Sequence, residues 1–177
     1  MELVTVFDIA QSGYRAREAL ISPAILTLVG IGMLVFWTGP RAERWVVFRW
    51  FYFLSSLSMT TFIAWHTYSD YVTLIDARRS GAFEVVEGPV ENFDPMPAWG
   101  HKHEAFSVRG VEFSYSDFRI TSAFNNSASH GGPIRRGAYV RVSYVGGDHS
   151  TDSNQIIRLE MRAQDIPSAA ERQNWRP

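Results

Sequence analysis

Two long stretches of the chain are almost free of charge, and they set the first expectation. Ala19 to Trp37 contains no charged residue over nearly twenty positions. At a rise of about 1.5 Å per residue, that length crosses a hydrocarbon core of about 30 Å. Pro23 falls in the first turn or so, where a missing N–H costs little. Gly30 and Gly32 are expected to let a second helix approach closely. The second stretch runs from Trp45 to Trp65 and carries one charge, Arg49, near enough to its end to snorkel to the interface. Ser55, Ser56, Ser58, Thr60 and Thr61 add hydroxyls that can bond back along the helix or across to its neighbour. Neither stretch has the polar face that a helix of a soluble protein shows. The expectation is a transmembrane hairpin.

Helical spacing continues beyond Trp65 through Tyr68, Tyr71, Val72 and Ile75 to Gly81, a C-cap candidate, so the second helix is expected to continue as a short stalk. From Gly81 the pattern changes to alternation. Phe83, Val85, Val86, Val90 and Phe93 outline a strand or pair with a bulge near Gly88-Pro89. Phe106 and Val108, then Val111, Phe113 and Tyr115, read as a hairpin turning at Gly110. An irregular section from Thr121 to Gly137 precedes strands over 138–145 and 155–162. About five short antiparallel strands without a strong helix predict a small closed barrel of the OB or SH3-like kind. The fold class expected is therefore an α+β membrane protein: a two-helix hairpin followed by a five-stranded barrel. The expected segments are 1–18 (an interfacial segment, with Met1 to Tyr14 either a short helix along the membrane or frayed), 19–80 (hairpin and stalk), 81–163 (barrel) and 164–177 (polar tail).

The first span is longer than a signal-peptide core, lacks a small-x-small cleavage site and is followed by a second span, which argues against cleavage. Trp37, Trp45, Trp50 and Trp65, with Arg41, Arg44 and Arg49, fall where interface anchors belong. The tails offer Arg15, Arg17, Arg78 and Arg79 against three arginines around the connection. Discounting Arg78 and Arg79, which stand about 20 Å along the stalk, favours a cytoplasmic connection and an external barrel. The chain is expected to cross its membrane twice.

Overall hydrophobicity of 46% conceals this concentration of apolar residues. The chain has no cysteine, which excludes disulfides, thiolate metal sites, Fe–S clusters and a cysteine nucleophile. The net charge of −1 gives no global attraction for nucleic acid. Within the barrel the charge is polarised: seven acids against two bases over 80–117, then six arginines against three acids over 118–163. If those halves separate in space, one face is basic.

Several residues invite chemistry. His101 and His103 lie two apart, so on an extended segment both imidazoles face one metal, with His130 or Asp117 to complete a site. The stretch Ser129-His-Gly-Gly-Pro-Ile-Arg-Arg136 offers adjacent glycine N–H groups as an anion nest beside Arg135 and Arg136. Arg119, Arg135, Arg136 and Arg141, with Phe124, His130 and Tyr139, would supply cations and stacking surfaces for an anionic headgroup, oligonucleotide or oligosaccharide. A hydrolase can be assembled from Ser129 or Ser116 with His130 and Asp117, but no nucleophile-elbow motif accompanies them.

The blocks Glu87-Gly-Pro-Val-Glu-Asn-Phe-Asp-Pro-Met-Pro97, Gly100-His-Lys-His-Glu-Ala-Phe-Ser107, Phe113-Ser-Tyr-Ser-Asp117 and Ser129-His-Gly-Gly-Pro-Ile-Arg135 look like those of uncharacterised bacterial membrane proteins. That similarity covers most of the chain; it implies a bacterial cytoplasmic membrane as the setting and no activity. In architecture the chain is also similar to NfeD-like proteins, in which membrane helices precede a small OB domain. The leading expectation is a non-catalytic, membrane-anchored binding or assembly module without a cofactor, working through a protein partner or its own copies. An anionic-ligand binder and a metal-dependent enzyme are the alternatives, and nucleic acid is a secondary partner.

Overall fold

The computed structural model describes residues 2–39, 43–97, 102–147, 153–168 and 171. It divides into a helical unit, Tyr14–Asp70, and a β unit formed by Met1–Gly13 together with Tyr71–Pro177.

In the helical unit a 3-10 turn over Arg15–Leu20 leads into α2, Ile21–Phe36; α1 is the single turn Ile9–Ser12 of the other unit. The long helix α3 spans Val46–Ser80 and passes its last ten residues to the β unit. Arg15–Phe36 and Val46–Ser80 are both long and apolar enough to cross a membrane. They meet at Gly30, where a Cβ would stand 3.1 Å from Phe53 Cα. Gly32, expected to share that role, faces open space. The Thr27 and Thr60 hydroxyls bond across the pair at 2.9 Å, while Thr60 and Thr61 bond back to the Ser56 and Leu57 carbonyls. The Tyr14 hydroxyl bonds to that of Thr67, and its ring meets Tyr68 edge-on.

Among the described residues the β unit holds seven strands rather than five. One sheet has the order β1-β7-β6-β2 and the other β3-β4-β5, and neither closes into a barrel. The strands are β1 Leu3–Asp8, β2 Glu84–Pro89, β3 Glu91–Asp94, β4 Glu104–Val108, β5 Val111–Tyr115, β6 Tyr139–Val145 and β7 Gln155–Arg162. The expected interfacial helix at the N-terminus is instead an edge strand, with Leu3 opposite Arg162 and Asp8 opposite Arg158. With β1 on the outer side of β7, the edges of the larger sheet are β1 and β2, and neither is hydrogen-bonded to β3 or β5. The chain crosses between sheets at Val90, whose N–H and carbonyl bond to Ala138 and Gly137. β3 is only four residues long with a register shift, too short to carry the ladder of one sheet into the other. Arg109 and Gly110, both at positive φ, close the β4–β5 hairpin.

The core lies between the sheets. Val140, Val142, Ile157, Leu159 and Met161 project inward from β6 and β7 and meet Phe106, Phe113 and Phe93. Phe7, Ile9, Leu74 and Ile75 bring β1, α1 and the end of α3 into the same cluster. The helix stops at Ser80, and Gly81, at φ +78°, turns the chain into β2.

Candidate functional site

The polar side chains that converge are not those of the arginine-rich surface but those around the loop 116–137. Glu104, the first residue of β4, shares the inward face with Phe106 and Val108 and is wholly buried. Its carboxylate accepts from Tyr115 Oη at 2.5 Å, from the Ala128 N–H at 2.9 and 3.2 Å, and from the Met96 N–H at 3.4 Å. Burial pushes its pKa up; these hydrogen bonds and the charge of Arg135 offset that only in part. Burial, and then Glu104 itself, push the Tyr115 phenol well above its ordinary value. One buried carboxylate therefore holds two backbone segments, at Met96 and Ala128, and the Tyr115 side chain.

Beside it, Asp117 Oδ2 accepts from Ser127 Oγ at 2.9 Å and lies 2.5 Å from His130 Nδ1. Ser127 Oγ is also 3.2 Å from both Ser129 Oγ and His130 Nδ1. A hydrolytic relay needs the serine on imidazole Nε2, opposite the nitrogen held by the carboxylate. Here serine and carboxylate share Nδ1, so the arrangement ties the loop together and does not prepare Ser127 as a nucleophile. Of the serines nominated from sequence, Ser116 is buried against Met96 Sδ and accepts the Phe118 N–H, and Ser129 meets Ser127 Oγ at the edge of this knot. The residues missed are Glu104 and Ser127. The signal for Glu104 was its parity with Phe106 and Val108; Ser127 had none.

The glycine nest does not form. The Gly131 and Gly132 N–H groups donate to the carbonyls of Ala128 and Ser127, at 3.3 and 2.7 Å, and so face the loop's own backbone. Arg135 donates to the carbonyls of Gly132 and Ile134, and Arg136 to that of Phe93.

The acidic and basic halves of the domain also interleave instead of separating. Glu87, Arg141, Glu160 and Thr5 form one row across all four strands of the larger sheet. Arg141 bonds Glu87 at 2.7 Å and lies 3.8 Å from Glu160, which Arg158 holds at 2.8 Å. The hydrogen bond from Arg141 lowers the Glu87 pKa and raises that of Arg141. The row continues through Asp8, 3.7 Å from Arg158 Nε and 2.9 Å from Arg78. Tyr139 donates to Glu87, and its ring lies under the Arg162 guanidinium at 4.0 Å. Tyr144 donates to Glu84, a bond that with burial pushes its pKa up to about 12.

Phe124, expected as a stacking surface, is a core residue packed edge-on to Phe7 and Tyr115. Arg119 donates to Ser153 Oγ at 3.3 Å beside a cleft shared with Thr121, Asn125 and Ile156. At about 20 Å³ that cleft has room for water and not for a sugar or base. The structure thus brings His130 together with Asp117 and scatters Arg119, Arg135, Arg136 and Arg141 among internal partners.

His103 is exposed, with Ser114 Oγ 3.4 Å from its Nδ1, and His101 lies outside the described residues. Among the described residues no three histidine or acidic side chains gather as a metal site. Of the interface candidates, Trp37, Trp45, Trp50 and Trp65 are exposed, as is Arg44. Arg49 donates to the Leu34 carbonyl at 2.7 Å, placing its charge against the C-terminal turn of α2; Arg41 lies outside the described residues.

Compared with known protein families, with characterised proteins and with solved structures, the chain matches none.

Proposed function

We propose that the chain is a two-span membrane protein whose β unit is a non-catalytic binding or assembly module, acting through a protein partner or a second copy. The observation that carries this reading is the pairing of β1 with β7. The strand that precedes the first span and the strand that ends the domain lie side by side, so the unit is fastened to both ends of the helical hairpin. Such attachment suits a scaffold held at the membrane better than a module swinging on one linker.

The membrane itself is supported by what the helices leave uncovered. Only 11% of each apolar window is buried, where a core helix of a soluble protein would be mostly buried. Ile21, Leu28, Phe36, Val47, Phe51, Phe62 and Trp65 are all at least 60% exposed. Soluble monomers rarely show apolar patches beyond a few hundred Å². Cleavage after the first span would also remove β1, and with it Phe7 and Ile9 from the core.

A bacterial cytoplasmic membrane is the proposed setting. The arginines around the connection favour its cytoplasmic placement, with the β unit outside. Arg78, bonded to Asp8, belongs to the β unit and adds little to the opposing count. The non-catalytic part of the reading draws on the Ser127–Asp117–His130 geometry. Cross-linking of the intact chain in native membranes is expected to give one discrete larger adduct, a homodimer or a heteromer. Monomer at every cross-linker length would overturn the proposal.

A further inference from the structure

The two apolar helices differ in what they turn outward at mid-length. On α2 the exposed side chains through the middle include Ile25, Leu28, Val29 and Val35, all aliphatic. On α3 the exposed face is interrupted by Ser55 and Ser58. Ser55 is two positions from Phe53 and Ser58 two from Thr60, the residues that meet α2. Two positions turn a helix by about 200°, so both serines look away from α2.

Their hydroxyls also stand apart from the others on this helix. Ser56, Thr60, Thr61 and Thr67 each donate to a carbonyl three or four residues back. Ser55 and Ser58 have no hydrogen-bond partner among the described residues. Ser55 is the midpoint of the stretch from Trp45 to Trp65, and Ser58 lies about 4.5 Å farther along. In a bilayer both stand near the centre of the hydrocarbon, where an unpaired hydroxyl is costly.

The surrounding face has a regular spacing. Phe48, Phe51, Ser55, Ser58, Phe62 and Trp65 are all exposed and recur at alternating intervals of three and four. That is the heptad spacing with which two helices keep one seam in contact. The small pair sits between an aromatic pair on either side, so two backbones approach most closely at the serines.

We propose that this face of α3 is the contact with a second copy of the chain, two α3 helices crossing in parallel at Ser55 and Ser58 with their hydroxyls bonded across the seam. The proposal deepens the reading of the chain as a two-span assembly module and rests on it. Depth and chemistry favour a second copy over lipid or an unrelated protein. Two copies inserted alike bring each residue level with its own counterpart, so the mid-membrane hydroxyls meet. A hydroxyl is both donor and acceptor, so a serine pair is complementary to itself across a two-fold axis. Lipid tails offer neither.

The absence of cysteine permits a direct test. Single variants S55C, S58C and L28C of the full chain are oxidised with copper phenanthroline in native membranes, and the products are identified by mass. S55C and S58C are expected to form disulfide-linked homodimers in large excess over L28C, at a fraction that persists when the membranes are diluted with added lipid. In phosphatidylcholine–phosphatidylglycerol vesicles, energy transfer between copies labelled at S168C reads the dimer affinity. The S55A/S58A pair, which keeps the small volume and removes the bonds, is expected to weaken it about tenfold; unchanged affinity would overturn the hydroxyl seam. Equal linking at all three positions, or linking that falls on dilution, would mean random collision and overturn the contact. A disulfide adduct with a different protein would overturn the second copy as occupant. Reaction of S55C and S58C with a water-soluble maleimide would place them on an aqueous path and overturn the seam. A discrete adduct from general cross-linking of the intact chain, with no S55C or S58C dimer, would overturn this face alone and leave assembly standing. Absence of both would overturn the assembly reading as well.

Discussion

A Cβ built on Gly132 would stand 2.1 Å from the Asn126 carbonyl oxygen and 2.7 Å from the Ser127 carbonyl, all rigid backbone. Gly131, by contrast, has open space around it but sits at φ +91°. The two positions therefore fail for different reasons. Gly132→Ala is expected to lower stability by about 2–3 kcal/mol through overpacking, and Gly131→Ala by about 1–2 kcal/mol through backbone strain. Urea unfolding of the full chain in detergent, followed by far-ultraviolet circular dichroism, would rank them; equal midpoints would contradict the geometry. Glu104 gives a signature in pH. Its folded pKa lies above the unfolded value of 4.5, so the protonated form favours the folded state. That contribution is complete below pH 4.5 and is lost as pH rises through the folded value. Glu104→Gln, which cannot titrate, should lack this part of the decline in unfolding midpoint across that range. The sequence displayed part of this site. Asp117 and His130 were readable as partners, but the serine beside them was misidentified. Which of Ser116, Ser127 and Ser129 reaches the carboxylate depends on how Gly131 and Gly132 fold the loop back on Ser127.

At the scale of elements, the decisive contact is the edge strand β1. Asp8 caps α1 through the Ala10 N–H and bonds Arg78 at the end of α3, while Arg158 of β7 lies beside it. Burial alone would raise its pKa, but the hydrogen bonds from Arg78 and Ala10 and the charges of Arg78 and Arg158 outweigh it, and the net shift is downward. The stability that Asp8 contributes is therefore present above its unfolded value of 3.8 and is lost as pH falls through the lower folded value. Asp8→Asn keeps a capping side chain and removes the charge; a loss of about 2 kcal/mol is expected. Hydrogen exchange should show the β1–β7 amides losing protection before those between β6 and β7. Uniform loss across the sheet would mean that Asp8 does not single out β1. The strand was hidden for a local reason: a register shift between Thr5 and Phe7 breaks the two-residue period, so the spacing of Leu3, Phe7 and Ala10 mimics a helix. The strands at 139–145 and 155–162 were legible because Val140, Val142, Leu159 and Met161 alternate without interruption. Closure was not legible, since it depends on whether the edges of one sheet pair with those of the other, which no local pattern encodes.

For the whole molecule, that pairing constrains how the chain can be threaded through a bilayer. Residues 3–8 lie before the first apolar helix, and residues 155–162 lie after the second, yet they share one hydrogen-bonded ladder. A ladder cannot form across a hydrocarbon core, so the number of crossings between the two strands must be even. Two spans satisfy this; a single span, with either helix lying on the surface, does not. The charge counts that choose between the two orientations are nearly balanced, whereas the requirement that both ends share a side is independent of charge. Single cysteines at Glu2 and Ser168 should therefore react with a membrane-impermeant maleimide from the same side of sealed vesicles, and a cysteine at Gly39 only from the other. Opposite accessibility of Glu2 and Ser168 would be incompatible with β1 pairing to β7 in the membrane. Labelling of all three from one side would mean that the helices do not cross. The expected pattern also bears on assembly. If the β unit is external, β1 must cross with its one strongly buried acid, Asp8, before β7 is available to receive it. Reversing the orientation by adding lysines after Gly13 should then leave the β1–β7 ladder intact, because both strands move together.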